Sequence, residues 1–125
     1  HEKNTIEVIK FLSKQKKIKE ILYPYRKDTK NYKNWKKYYS GATGLLSLVI
    51  KSKSKNSVFK FINSLELFGI GYSWGGFESL VVYQDIQREF HKYKDKNLHI
   101  VRLHIGLEDP KDLIFDLKKS LQHIK

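Results

Sequence analysis

The chain has 125 residues, about one domain. Its 40% hydrophobic content, with 14% aromatics, 7 Gly and 2 Pro, fits a packed core and argues against disorder. With no cysteine it offers no disulfide scaffold, thiolate zinc site or cysteine nucleophile, and the net charge of +12 raises a nucleic-acid reading that 22 Lys against 3 Arg weakens, because base readers and phosphate clamps lean on arginine forks.

The first stretch, His1 to Gln15, is broken by Lys3, Lys10 and Lys14 and is not expected to be a signal peptide. No apolar run approaches the roughly 20 residues that span a bilayer. Glu2 to Lys17 predicts an amphipathic helix in which Ile6, Ile9 and Leu12 share one stripe. Lys19 to Tyr23 predicts a short strand stopped by Pro24, and Lys27 to Lys37 a polar loop with one helical turn. Gly41 and Gly44 bracket a turn, after which the continuous apolar run Leu45 to Lys51 predicts a buried strand, followed by a polar break from Ser52 to Ser57. Ser57 to Leu65 predicts a second helix, with Val58, Phe61, Ile62 and Leu65 at i, i+3, i+4 and i+7.

Leu67 to Ser73 predicts a strand running into Gly75 and Gly76, and Ser79 to Tyr83 another. Gln84 to Asn97 is polar, with a short helix expected around Ile86 to Phe90. Leu98 to Gly106 alternates, Val101, Leu103 and Ile105 pointing one way and Ile100, Arg102 and His104 the other. Asp109 then caps a last helix, with Pro110 at its first position and Leu113, Leu117, Leu121 and Ile124 as its buried stripe. The order predicts one α/β (α+β) sandwich over residues 1–125, a single sheet with helices on one face, in a soluble, cytoplasmic protein.

Two places could carry chemistry. An arginine inside an apolar strand must find an anion, because a buried unpaired charge is costly. The planar fork of Arg102 suits a carboxylate held bidentately, and a structural ion pair with Glu78, Glu108 or Asp109 would satisfy it equally. In Tyr72-Ser73-Trp74-Gly75-Gly76 the glycines let a ligand approach the main chain, Trp74 could wall a site and the Ser73 amide could donate to it; an ordinary strand-ending turn with a core tryptophan reads as well. His99 and His104 lie five apart on one strand, hence on opposite faces, and cannot share a metal. No zincin, phosphate-loop or dinucleotide motif occurs.

Three runs, GATGLLSLVIK (Gly41 to Lys51), LELFGIGYSWGGFESL (Leu65 to Leu80) and VRLHIGLEDPKDLIFDLKKSL (Val101 to Leu121), occur in this order and spacing. Together they resemble the C-terminal domain of the pyridoxal-phosphate enzymes of cysteine and methionine metabolism, a fold-type-I family. Tyr23-Pro24 in ILYPYRKD resembles the segment after that domain's first helix. Trp74 in Y-S-W-G-G and His104 in R-L-H-I-G-L-E-D resemble the bacterial cystathionine β-lyase branch; the γ-synthase and γ-lyase branches carry S-L-G-G and R-L-S-x-G.

The resemblance implies a small, mostly antiparallel sheet and a carbon–sulfur lyase of methionine biosynthesis. Such an enzyme converts cystathionine to homocysteine, pyruvate and ammonia, with pyridoxal 5'-phosphate as electron sink. It gives Arg102 the substrate α-carboxylate and places Tyr72, Ser73 and Trp74 beside it. The family's Schiff-base lysine, its pyridine aspartate and its phosphate cup lie in a preceding large domain that these residues do not include. The chain is therefore expected to be an excised domain, a truncated gene product or one part of a split protein. It is expected to hold no cofactor, metal or catalytic residue of its own, to be inactive alone, and to partner its own large domain within a homotetramer.

Besides another enzyme of the same family, of the γ-synthase or γ-lyase type, two rival readings remain. Residues 1–60 hold 16 Lys and Arg against 4 Asp and Glu, whereas residues 61–125 hold 9 of each, so the first half could serve as a basic interaction module. Alternatively the chain is a stand-alone oligomerisation domain that covers its open sheet face with a second copy. Neither specific nucleic-acid recognition nor membrane binding is expected.

Overall fold

Alternation along the strand nearest the C-terminus organises the molecule. The computed structural model describes residues 1–85, 93 and 95–125, so the helix expected around Ile86 to Phe90 lies outside the described residues. In chain order run α1 (Glu2–Leu12), β1 (Ile18–Leu22), α2 (Tyr32–Tyr38), β2 (Leu45–Lys51), α3 (Lys55–Asn63), β3 (Gly69–Ile70), β4 (Leu80–Gln84), β5 (Leu98–His104) and α4 (Pro110–Ser120), which continues as a 3-10 turn over Leu121–His123. The strands form one sheet in the order β1-β2-β5-β4-β3, antiparallel except for the parallel pair β3 and β4.

Register decides which side chains face which way. Leu46, Leu48 and Ile50 of β2 lie opposite Leu103, Val101 and His99 of β5 and share the covered face. Val8 and Leu12 of α1, Val58 and Phe61 of α3, and Leu113 and Leu117 of α4 pack on that face, all of them fully buried. Each such side chain contributes about 1.5–3 kcal/mol by leaving water. Asp109 caps α4 by accepting from the Lys111 N–H at 2.8 Å, and Ser54 caps α3 by accepting from Ser57 N–H at 3.2 Å.

Several boundaries depart from the sequence pattern. Helix α1 stops at Leu12 rather than Lys17, because its apolar stripe ends there and the Lys17 carbonyl is taken by Lys51 N–H of the sheet. The segment expected to hold one helical turn forms the two-turn α2, none of whose residues is buried. Helix α3 begins two residues early, at the Ser54 cap. Strand β3 shrinks from seven residues to two: it pairs only with β4, and beyond Ile70 the chain enters glycine-rich backbone. Asp116 was hidden in the α4 pattern; it is buried, and its carboxylate accepts from Glu66 and Leu67 N–H at 2.8–3.1 Å and ties the segment after α3 to α4.

Tyr23 closes the far side of the core. Its ring is buried and its hydroxyl donates to the Thr43 carbonyl at 2.9 Å. Burial first, then the Glu2 and Tyr25 charges, pushes its pKa up to about 12 from the usual 10.0. A phenol held neutral by the fold costs nothing below pH 10, where the unfolded chain is neutral too; stability is lost as pH rises from 10 through 12. The expected loss is about 2 kcal/mol, read as a fall in melting temperature above pH 10 that is smaller in Tyr23→Phe.

Candidate functional site

The sheet's second face is open where β5 crosses it. Leu22, Ser47, Arg102 and Val82 form one cross-strand row there. A groove of about 850 Å³ runs over this row between the sheet and the segment after β1, bordered by Leu22, Arg26, Leu45, Ser47 and Arg102. Arg102 is partly buried at its edge.

The ion-pair alternative is not what the geometry contains. Among the described residues no carboxylate lies within 4 Å of the Arg102 guanidinium. Glu108 accepts from the Ser79 N–H at 2.7 Å and the Ser79 hydroxyl at 2.8 Å, Asp109 caps α4, and Glu78 is exposed. Instead Nη2 of Arg102 donates to the Ser73 carbonyl at 2.9 Å, and the guanidinium carbon sits 5.3 Å from the centre of the Tyr72 ring. A cation stacked on an aromatic face and steered by one carbonyl keeps its remaining N–H groups for an incoming anion.

Tyr72, Ser73 and Arg102 are thus brought together, Ser73 through its carbonyl rather than through its amide. Trp74 is 72% exposed and Tyr72 67%, so the tryptophan is not a core residue. Gly75 adopts φ +76°, a left-handed conformation that favours glycine and turns the loop back toward the sheet. With Ile70, Phe77 and Leu107, which are also exposed, these rings make an apolar border along this edge of the molecule.

Sequence reasoning missed what fixes this loop from behind. His104 Nε2 donates to the Gly76 carbonyl at 3.1 Å, Leu107 N–H to the Phe77 carbonyl at 2.8 Å, and Gly106 N–H to Ser79 Oγ at 2.8 Å. The Glu108–Ser79 pair completes the clamp. The signal was present in the two conspicuous runs, G-G-x-E-S-L and R-L-x-x-G-L-E-D: their Ser, Glu and second-run Gly bond to one another across the fold.

Residues 1–122 match the model of the Cys/Met metabolism PLP-dependent enzymes. The chain belongs to that family. It is 37% identical over 123 residues to cystathionine beta-lyase of Bordetella avium (97% of this chain, 31% of that protein). It is 34% identical over 127 residues to L-alanine/L-glutamate racemase of Wolbachia pipientis wMel (99% of this chain, 32% of that protein). Among solved structures it superimposes with TM-score 0.77 and 28% identity on a Campylobacter jejuni protein given the provisional name O-acetylhomoserine (thiol)-lyase, which contains N'-pyridoxyl-lysine-5'-monophosphate; 98% of this chain and 27% of that one are covered. The chain therefore spans about a third of the length of the curated relatives it matches.

Pyridoxal phosphate is the family's cofactor, and the residues on this chain can be tested against its needs. They are a desolvated lysine, a carboxylate for the pyridine nitrogen and a cup of donors for the phosphate. Lys19 and Lys30, which border the groove, are both exposed, and Asp28 is already engaged by Arg26, whose hydrogen bond lowers the Asp28 pKa. These residues do not make a cofactor cradle. What the groove offers is a guanidinium that makes one bond to a carbonyl and has no carboxylate within 4 Å among the described residues. Among the described residues no cluster could hold a metal ion and no helix is long and apolar enough to cross a membrane.

Proposed function

We propose that the chain is the substrate-carboxylate-binding domain of a pyridoxal-phosphate carbon–sulfur lyase of the cystathionine β-lyase type, inactive unless joined to a cofactor-binding domain. The observation that carries this reading is the Arg102 guanidinium, partly exposed at the edge of a groove, set against the Tyr72 ring and steered by Ser73, with no carboxylate within 4 Å among the described residues. A planar fork with N–H groups left over at the edge of a groove supports a carboxylate as the ligand that would take them.

In an enzyme joining this domain to a cofactor-binding one, pyridoxal phosphate would supply the electron sink for the substrate's α-carbon. This chain's part is to fix that carbon's position. Arg102 takes the α-carboxylate through two parallel N–H bonds, Tyr72 keeps the guanidinium plane in place, and Trp74 walls off water on the loop side. The apolar border of Ile70, Trp74, Phe77 and Leu107 supports a large domain as the surface that covers this edge. Similarity to both a β-lyase and a racemase supports a shared duty, carboxylate capture, rather than a bond-breaking role for the domain.

The reading is tested on the 125-residue chain by following the Arg102 Nε–H signal during titration with cystathionine and with its methyl esters. The acid is expected to shift the signal and the esters to leave it in place; equal shifts, or none, would remove Arg102 from the role. In the same sample, supplied with pyridoxal phosphate, no pyruvate is expected from cystathionine, and turnover would refute the dependence on a second domain.

A further inference from the structure

We propose that His104 is a positioning residue that holds the Tyr72–Gly76 loop in place against Arg102, an inference whose kinetic arm rests on the carboxylate-binding reading above. The loop has little else to fix it. Tyr72, Ser73, Trp74, Gly75, Gly76 and Phe77 are all exposed, so no buried side chain anchors it. Between Gly71, whose N–H donates to Val81 at 3.2 Å, and Phe77, whose carbonyl accepts from Leu107, its hydrogen bonds among the described residues are two. Both come from side chains on the open face of β5: Arg102 to Ser73 and, two residues on, His104 to Gly76.

These two ties differ in permanence. A carboxylate arriving at the other N–H groups of Arg102 pulls on the same guanidinium that holds the Ser73 carbonyl, and so competes with that carbonyl for its orientation. His104 has no such competitor. A carbonyl can only accept, so Nε2 carries the proton, and Nδ1 is buried with no hydrogen-bond partner among the described residues. The imidazole is 2% exposed and fixed on two sides: His1 lies 5.1 Å away ring to ring, and a Cβ on Gly44 would come within 3.0 Å of the His104 ring and 2.3 Å of the Ile105 carbonyl. Packing alone would be served better by leucine, which leaves no orphaned acceptor. The orphaned Nδ1 is tolerated where the opposite nitrogen does something an apolar side chain cannot, here gripping Gly76.

Nitrogen-15 relaxation of the 125-residue chain tests this. In His104→Leu, and in His104→Asn, whose amide is too short to reach Gly76, order parameters of the Trp74, Gly75 and Gly76 amides are expected to fall from the rigid value of about 0.85 to below about 0.6. His104→Gln, whose terminal amide reaches the Nε2 position, is expected to keep them. Unchanged loop order parameters in a folded His104→Leu, or a His104→Gln as loose as the leucine variant, would overturn the proposal. Loss of cooperative melting in both the leucine and asparagine variants would overturn it too, by assigning the ring to the core instead of the loop. In an enzyme that joins this domain to a cofactor domain, His104→Leu is expected to raise the substrate KM about tenfold with kcat within about threefold. A loosened loop with unchanged KM would uphold the tie and refute the carboxylate role given to Arg102.

Discussion

In an enzyme uniting this domain with a pyridoxal-phosphate domain, Arg102→Ala is expected to lower kcat/KM by about 30- to 900-fold, the equivalent of about 2–4 kcal/mol for one charge-assisted bidentate contact. Most of the loss should sit in KM, because the contact forms as soon as the substrate binds. Arg102→Lys keeps the charge but not the fork. It also forfeits the flat stacking on Tyr72 and the bond to Ser73, so it should recover only part of the loss. Steady-state kinetics against substrate concentration separates these cases. A KM unchanged by alanine would take Arg102 out of the site altogether.

Gly106→Ala is expected to destabilise the fold by about 3 kcal/mol or more. A Cβ at this position would lie 2.2 Å from the Phe77 carbonyl oxygen and 2.7 Å from the Glu78 carbonyl carbon. Both are backbone atoms that cannot rotate away. The same glycine donates its N–H to Ser79, so any shift that relieves the clash also opens the Ser79–Glu108 clamp. For a domain of this size the change corresponds to a melting temperature lowered by about 10 °C or more. Gly76→Ala is the matched control: nothing lies within 4 Å of its would-be Cβ and its φ is not in the left-handed range, so stability should stay within about 0.5 kcal/mol. Melting curves of the two variants side by side decide the matter, and equal midpoints would remove the clamp as a source of stability.

The reading from sequence succeeded where one element's period sets geometry. Strict alternation from Leu98 onward put Arg102 and His104 on the face opposite Val101 and Leu103, and it separated His99 from His104, as the strand pairing bears out. The α4 stripe was equally legible, because its leucines recur on one side and Asp109-Pro110 marks its start. Contacts between distant segments were not legible. Nothing local distinguishes a serine that will receive a glutamate 29 residues away from one that caps a turn, so the Ser79–Glu108 clamp stayed hidden. The partner of Arg102 was left open for the same reason, since Ser73 lies on a loop with no period to follow. Strand β3 was overestimated because a run such as Leu67 to Ile70 looks like a strand whether or not a neighbour exists to pair with it beyond two residues.

The sheet's two margins are blunt. Strand β3 presents only two residues of unpaired main chain, and β1, on the far side, carries a register shift between Ile18 and Glu20 amid surrounding lysines. Neither border offers the long, flat rail on which identical chains zip together into fibrils. A small basic unit of this kind can be held at high concentration without edge-to-edge polymerisation, which makes it a practical object for spectroscopy.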